Sequence, residues 1–153
     1  MKKARSRKKA VKPIPAGYHT VTPYLACGDG AAAIEFYKKA FGAKEKVRMP
    51  GPDGKVGHAE VEIGDSRIML TGEYAAMNFL SPVSRGGTTV TIHLYVKDCD
   101  ALTARAVKAG AKLLRKVEDP FGHVWHLATH TEDVPMAELR KRAAKMMQPG
   151  SGG

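Results

Sequence analysis

Imidazole, phenol and carboxylate side chains occupy every second position in two stretches of the sequence. One stretch contains His58 and Glu60, and the other contains His93 and Tyr95. Successive side chains of a β-strand point to opposite faces, so each pair would share one face of a sheet. A histidine can transfer a proton near neutral pH or bind a divalent metal, and a carboxylate can assist in either role. The spacing therefore predicts a polar sheet face that is equipped for acid–base or metal chemistry.

The apolar residues of these strands fall on the opposite face. Ala59, Val61 and Ile63 alternate with the polar pair of the first stretch. Amphipathic helices cover apolar sheet faces, so the polar face should remain open and line a cup. A concave surface with a few convergent polar groups is the usual form of a ligand site. The residues predicted to line the cup are Thr22, Tyr24, His58, Glu60, Thr91, His93, Tyr95 and His126.

A strand followed by a helix occurs twice in the chain. The Thr-Val-Thr sequence of residues 20–22 and Asp29 recur 69 residues later, at residues 89–91 and Asp98. Each Asp precedes an alanine-rich helical stretch that ends at Gly-Ala-Lys. Such a repeat indicates a duplicated module. We predict an α+β fold of two tandem β-α-β-β-β modules, which form a cupped mixed sheet with helices outside and are followed by a C-terminal helix.

The second module is shorter than the first. Three strands, at 44–49, 57–63 and 66–71, fit after the first helix, whereas only two, at 111–117 and 123–130, fit after the second. About one hairpin is therefore predicted to be missing. Its loss would open one side of the cup or leave a sheet edge for a partner subunit to cover.

The chain is predicted to form a single domain with two tails. A basic disordered tail spans 1–17 and ends at helix-breaking prolines and a glycine, and a flexible Gly-rich tail spans 148–153. The domain between them spans 18–147. Its parts are module one at 18–72, a connector at 73–88, module two at 89–131 and a C-terminal helix at 134–147.

The net charge of +10 is concentrated in the N-terminal tail. Seven of the 25 basic residues precede Pro13, so 18 basic residues stand against 15 acidic ones in the remainder. A basic arm can bind nucleic acid through phosphate groups in a salt-dependent manner. Solvated tails share this composition, however, and no aromatic residue lies between the lysines to stack on bases. We therefore favour a solvated leader over a nucleic-acid-binding arm.

Several protein classes are disfavoured by motifs that the sequence lacks. No apolar run approaches the roughly 20 residues that span a bilayer. The N-terminus has no apolar secretory signal, so a cytoplasmic protein is expected. Cys27 and Cys99 follow no metal-type spacing and imply no disulfide. Neither a Gly-x-Ser-x-Gly nucleophile motif nor a Gly-rich phosphate loop is present.

Two motifs resemble those of a known family. Residues 29–43, DGAAAIEFYKKAFGA, resemble the first helix of the vicinal oxygen chelate superfamily, which includes glyoxalase I, bleomycin-resistance proteins and extradiol dioxygenases. Residues 119–130, DPFGHVWHLATH, followed by Glu-Asp-Val at 132–134, resemble the closing signature of its PhnB-like branch. His123 and His130 in this segment are predicted to form hydrogen bonds at a turn and a strand end. The resemblance covers about residues 18–147 and implies the paired-module fold.

The resemblance also implies four positions for a divalent metal such as Zn, Ni, Mn or Fe, on the first and last strands of each module. In this sequence they hold Thr22, Met69, Thr91 and His126. Only His126 is a plausible ligand, although His93 lies on the same face and His58 or Glu60 could contribute. A catalytic site needs about three protein ligands and an open position.

The resemblance leaves two main hypotheses for function. In the first, a metal-free cup, shared in a homodimer, binds a small organic ligand. In the second, a metal-dependent lyase, isomerase or dioxygenase uses His126 and His93 with a carboxylate such as Glu60. Whether the histidines act as acids and bases or only form hydrogen bonds stays open at this stage. The residues predicted to bind the ligand are Tyr24, His58, His93, Tyr95 and His126.

Overall fold

A computed structural model describes residues 11–113 and 116–146, and within them two modules follow each other along the chain. Module one contains β1 (Tyr24–Ala26), α1 (Gly30–Phe41), β2 (Lys44–Pro50), β3 (Val56–Ile63) and β4 (Ser66–Thr71). The connector forms a 3-10 turn (Ala75–Met77) and a short helix, α2 (Pro82–Arg85). Module two contains β5 (Thr91–Tyr95), α3 (Cys99–Lys108), β6 (Lys112–Leu113), β7 (Val117–Glu118) and β8 (Val124–Ala128), and α4 (Met136–Met146) follows. The predicted tail segments 1–10 and 147–153 lie outside the described residues.

The two modules have the same topology. Their strand orders are β1-β4-β3-β2 and β5-β8-β7-β6. In each module the first strand pairs in parallel with the last, and the remaining pairs are antiparallel. The predicted α+β fold with duplicated modules is therefore confirmed. β1 and β5 each pair on one side only, so both are edge strands among the described residues.

The prediction that module two lacks a hairpin is wrong. Two strands of two residues each begin within the stretch predicted as one strand, 111–117, with Lys112 opposite Glu118 and Leu113 opposite Val117. The hairpin is thus shortened, not missing. Two residues contain a single alternation of side chains, so strands this short leave no periodic pattern in the sequence.

The alternation of apolar and polar residues at 18–27 predicts a first strand over that span, but the strand in the structure is shorter. Only Tyr24–Ala26 form a strand, directly after Pro23. Proline has no amide hydrogen and cannot donate to a ladder. The preceding residues instead cross the polar face of the sheet, where Tyr18 contacts Glu60.

Helices α1 and α3 each begin at an aspartate cap, at the two positions that the repeat relates. Asp29 accepts a hydrogen bond from the backbone N–H of Ala32 at 3.0 Å, and Asp98 accepts one from Ala101 at 2.9 Å. These carboxylates satisfy amide hydrogens that have no partner inside the helix. Gly42 ends α1 in the left-handed conformation at φ 69°, which glycine adopts without steric cost.

One core joins the two modules. The α1 stripe of Ile34, Tyr37 and Phe41 is buried, and Trp125 from β8 packs against Tyr37 and Phe41 with ring centroids 5.5 and 4.6 Å apart. Arg105 of α3 donates a hydrogen bond to the carbonyl of Ala40 at 2.6 Å. The helices therefore cover the apolar sheet faces, and the polar faces point away from them. No helix in the described part of the chain is long and apolar enough to cross a membrane.

Candidate functional site

A cavity of about 800 Å³ lies between the edge strands β1 and β5 and is closed on one side by the connector. Its volume falls within the range of roughly 300–1,000 Å³ that is typical of small-molecule sites. Tyr24 and Phe79 form an aromatic wall, with ring centroids 5.7 Å apart. Thr91 and His93 of β5 line the facing side. The cavity therefore combines an apolar wall with several hydrogen-bonding groups.

The charge within the cavity has one sign. Arg85 of α2 lines it, and no aspartate or glutamate is among its described lining residues. Arg85 donates hydrogen bonds to the backbone carbonyl of Asn78, at 3.2 Å, and to the side-chain oxygen of the same residue. Within the described ranges no carboxylate lies within ion-pair distance of the Arg85 guanidinium. A neutral amide orients this cation and leaves its charge unbalanced.

A chain of three polar side chains crosses the exposed face of module one. Tyr24 Oη lies 3.1 Å from His58 Nδ1, and His58 Nε2 lies 3.2 Å from Glu60 Oε1. Tyr24 is 45% exposed, whereas Glu60 is only 7% exposed. The chain therefore runs from the cavity to a buried carboxylate.

Two further groups hold Glu60 from behind. Tyr18 Oη donates to Glu60 Oε2, and Arg67 Nη1 donates to the same oxygen at 3.2 Å. The Arg67 guanidinium also lies over the Tyr18 ring, 5.2 Å from its centroid. Burial raises the pKa of Glu60, but the hydrogen bonds from Tyr18 and His58 and the charge of Arg67 outweigh burial and lower that pKa below its ordinary value. Glu60 is therefore ionised at neutral pH.

The second predicted cluster lies on module two. His93 and His126 stand opposite each other in the parallel register of β5 and β8, with ring centroids 4.6 Å apart. Tyr95 packs beside His93 with ring centroids 4.5 Å apart and is 69% exposed. Lys116 Nζ donates to Thr91 Oγ1 at 3.2 Å on the same face.

The four positions at which the resemblance implies a divalent metal do not fit one. Thr22, Met69 and Thr91 offer only weak oxygen or thioether donors, and His126 is the one strong ligand among the four. In the part of the chain that the structure describes, no three His, Cys, Asp or Glu side chains are grouped so that they could hold a metal ion. Glu60 is already held by Tyr18, Arg67 and His58. The donor set therefore favours chemistry carried by the protein's own side chains.

A buried hub beneath the cavity joins the two modules. Asp119 accepts hydrogen bonds from Tyr37 Oη at 2.8 Å and Trp125 Nε1 at 3.0 Å, and also from the backbone N–H groups of Phe121 and His123. His123 Nε2 donates to the carbonyl of Ala26 in β1 at 2.9 Å. The turn before β8 is thereby fixed to β1, and the two edge strands are held on either side of the cavity.

Cys27 lies in the same hub and has no catalytic features. Its sulfur is 3.9 Å from His123 Nε2, and the side chain is fully buried. Burial raises the pKa of the Cys27 thiol to about 12. A thiol with this pKa stays protonated at neutral pH and is a poor nucleophile.

The structure gathers the five predicted ligand-binding residues into two groups. Tyr24 and His58 belong to the first, and His93, Tyr95 and His126 to the second. Only Tyr24 and His93 line the 800 Å³ cavity. Their role in binding stays a prediction.

Four site residues were not predicted from the sequence: Tyr18, Arg67, Phe79 and Arg85. Phe79 and Arg85 lie in the connector, where Arg85 is the lone cation and Phe79 is one of two aromatic residues, beside Tyr74. Tyr18 and Arg67 reach Glu60 from 42 and 7 residues away. No local pattern reports such a contact.

Comparisons with known proteins agree with the fold. A family model described as the Glyoxalase/Bleomycin resistance protein/Dioxygenase superfamily matches residues 18–133. An uncharacterised protein of Mycobacterium tuberculosis is 41% identical over 147 residues, covering 86% of this chain and 85% of that protein. The crystal structure of an Arabidopsis thaliana gene product is similar with a TM-score of 0.59 and 28% identity, covering 72% of this chain and 98% of that one.

A second similar structure is the fosfomycin resistance protein FosX of Listeria monocytogenes, solved with Mn(II) and a sulfate ion. Its TM-score is 0.61 at 16% identity, and the match covers 74% of this chain and 93% of that one. At this identity the likeness is one of fold.

Proposed function

Because the chain belongs to the glyoxalase/bleomycin resistance protein/dioxygenase superfamily, we propose that it is a PhnB-like protein that binds a small organic ligand between β1 and β5. The observation that carries the proposal is the cavity of about 800 Å³, with its aromatic wall and its single unbalanced cation. Members of one fold perform many functions, so the cavity, and not the fold, supports this proposal.

The lining of the cavity favours an aromatic or apolar ligand that carries an anionic group. Tyr24 and Phe79 offer ring faces for stacking. Within the described ranges Arg85 has no carboxylate partner, and the guanidinium N–H groups that do not face Asn78 can bind a carboxylate or a similar anion. A cationic ligand would meet Arg85 without any acidic group in the described lining to balance it. Aromatic carboxylates and aromatic α-keto acids meet these requirements.

Thermal unfolding in the presence of ligands tests the proposal. Benzoate, phenylacetate and 2-oxo-4-phenylbutanoate, each with its neutral amide as a control, would be titrated to millimolar concentration. A ligand of the native state at about 100 times its Kd adds about 2.7 kcal/mol of stability, which raises Tm by roughly 5–10 °C for a domain of this size. The proposal fails if none of the three acids shifts Tm beyond the shift given by its amide.

A pair of variants assigns the anion contact. Arg85→Gln should weaken binding of the acid by roughly 10- to 100-fold, the loss of one charge-assisted hydrogen-bond pair. Arg140→Gln removes an exposed cation of α4 outside the cavity and should leave binding unchanged. If both variants weaken binding of the acid equally, the effect of Arg85→Gln comes from net charge and not from a contact between Arg85 and the ligand.

The second candidate function is a metal-dependent lyase, isomerase or dioxygenase that uses His126 and His93. The close approach of the two rings is the observation that favours it. We place it second because Thr91 and Met69 supply no further strong ligand. Metal analysis of the purified protein separates the candidates, since stoichiometric Zn, Ni, Mn or Fe that is lost in His126→Ala would support the second one.

We further propose that the protein is a cytoplasmic homodimer. The edge strands β1 and β5 favour a partner, because an edge strand leaves backbone donors and acceptors unpaired. Light scattering on the eluting protein measures the mass, and a monomer at micromolar concentration would contradict the proposal. The basic segment at 1–10 lies outside the described residues, so the prediction that it is a solvated leader and not a nucleic-acid arm stays a prediction.

A further inference from the structure

The Tyr24–His58–Glu60 chain has a fixed direction. Glu60 is buried, ionised and already the acceptor of hydrogen bonds from Tyr18 and Arg67. A carboxylate can only accept, so the contact at 3.2 Å requires the proton on His58 Nε2. In the neutral imidazole the other nitrogen, Nδ1, then carries a lone pair. That lone pair faces Tyr24 Oη at 3.1 Å and accepts the phenol proton.

The phenol oxygen at the other end of the chain is left free to accept. Tyr24 lines the cavity and is 45% exposed. Its hydroxyl proton is donated to His58, which is not among the described lining residues, so the lone pairs of the phenol oxygen stay available to a ligand. No other described group contacts the Tyr24 hydroxyl by a hydrogen bond.

We propose that Tyr24, His58 and Glu60 form a proton relay that makes Tyr24 Oη the general base toward an acidic proton of a ligand bound in the cavity. The ligand's C–H or O–H bond breaks and its proton forms a new O–H bond at Tyr24 Oη, while the original phenol proton moves to His58 Nδ1. The products are the ligand anion and an imidazolium. No metal and no redox partner take part in this step.

The charges around the relay support this direction of transfer. The imidazolium would lie against the Glu60 carboxylate, which stabilises it, as in other nucleophile–base–carboxylate chains. The titratable and charged groups that face His58 are Tyr24 and Glu60, and behind Glu60 lie Tyr18 and Arg67. Arg67 fixes the position of Glu60 and keeps it ionised. Glu60 is therefore a positioning residue, and Tyr24 is the one that would touch the substrate.

The identity of the substrate rests on the proposed function, but the relay itself can be tested without any ligand. Benzenesulfonyl fluoride reacts with tyrosine when the phenol proton has an acceptor. Tyr24 Oη attacks the sulfur, an S–O bond forms, the S–F bond breaks, fluoride leaves and the proton passes to His58. Peptide mass spectrometry over time gives a rate for each tyrosine.

Tyr95 is the internal reference for this experiment. It is more exposed than Tyr24, 69% against 45%, and within the described ranges no histidine nitrogen is hydrogen-bonded to its hydroxyl. Exposure alone would make Tyr95 react faster. General-base assistance is worth about 10²- to 10⁴-fold, so at pH 8 we expect Tyr24 to react at least about tenfold faster than Tyr95.

The variants decide whether His58 is the cause. In His58→Gln the rate at Tyr24 should fall to about that of Tyr95, and in Glu60→Gln it should fall partway. The Tyr95 rate within each variant shows whether the second sheet keeps its structure. Comparable rates at the two tyrosines in the wild-type protein, or an advantage of Tyr24 that survives His58→Gln, would overturn the relay. If no acid shifts Tm but Tyr24 is labelled faster than Tyr95, the proposed ligand class is wrong and the relay stands. If an acid shifts Tm but Tyr24 is not labelled faster, the relay is wrong and the proposed ligand class stands.

Discussion

Replacing Asp119 with asparagine removes the charge from a carboxylate that is 2% exposed and fixes the turn before β8 to helix α1. One of its oxygens accepts the backbone N–H groups of Phe121 and His123, at 3.0 and 2.9 Å. The other accepts Tyr37 Oη at 2.8 Å and Trp125 Nε1 at 3.0 Å. Asparagine has the same shape but only one acceptor oxygen.

The cost of this change follows from the donors that it leaves without an acceptor. If the asparagine oxygen serves the two backbone amides, its NH₂ group faces Tyr37 and Trp125. The tyrosine hydroxyl can rotate and accept, but the indole N–H cannot. A hydrogen bond to a charged group contributes about 1.5–3 kcal/mol, and a buried unsatisfied donor costs about 1–3 kcal/mol. These effects overlap, so we expect a loss of about 3 kcal/mol in the free energy of unfolding.

Urea unfolding followed by tryptophan fluorescence measures this loss, because the only tryptophan, Trp125, is part of the hub. Asp29→Asn is the matched control. Asp29 is an exposed helix cap, and asparagine caps a helix about as well as aspartate. Its free energy of unfolding should change by less than about 0.5 kcal/mol. A loss below about 1 kcal/mol in Asp119→Asn would refute the hub as the link between the modules.

Three further predictions concern pH, thiol reactivity and the turn. The hydrogen bonds from Arg48 and Lys38 lower the pKa of Glu45 to about 2. The stabilisation that ionised Glu45 gives the folded protein is therefore present above its unfolded pKa of about 4.3 and is lost as the pH falls toward 2. Glu45→Gln should flatten the acid-unfolding curve in that window, as followed by circular dichroism. A disulfide reagent such as DTNB at pH 8 should modify Cys99 in the folded protein and Cys27 only in urea, because Cys27 is buried with a pKa of about 12; fast reaction of Cys27 in Cys99→Ser would contradict this. Gly122→Ala should lower the free energy of unfolding in urea by about 1–3 kcal/mol, since φ is 85° and the new Cβ would lie 3.0 Å from Pro82. Gly28→Ala is the control, because its new Cβ meets no atom within 4 Å.

The elements that the sequence predicted correctly are those with strong local signals. The aspartate caps at Asp29 and Asp98 and the glycine stop at Gly42 act within one helical turn, so their residue types alone locate the helix ends. β3 has eight residues and shows clear alternation, and its buried and polar faces agree with the prediction. β6 and β7 have two residues each and show no period, and for that reason they were predicted as a single strand.

The site was only partly predictable because its contacts join distant segments. Alternation placed His58 and Glu60 on the same face, and the structure joins them at 3.2 Å. The contact of Tyr24 with His58 spans 34 residues and depends on β1 lying in parallel beside β4, an order that neither strand's own sequence specifies. Arg85 enters the cavity because α2 packs the connector against the edge strands. Neither fact leaves a pattern in a short window of sequence.

The duplication explains why the two halves of the site differ in chemistry. The offset of 69 residues makes Tyr24 and His93 equivalent positions, and both line the cavity. In module one, Tyr24 is paired with Met69, which lies opposite Glu60. In module two, His93 is paired with His126, and Lys116 Nζ donates to Thr91 Oγ1 on the same face.

Module one therefore places a carboxylate beside its histidine, whereas module two places two histidines side by side. A tyrosine that acts as a base in this way passes its own phenol proton to a histidine. The histidine then needs a carboxylate behind it, because the carboxylate stabilises the imidazolium. Among the described residues, module one provides such a carboxylate through Glu60, whose Oε1 lies 3.2 Å from His58 Nε2. Proton abstraction is thus expected on module one.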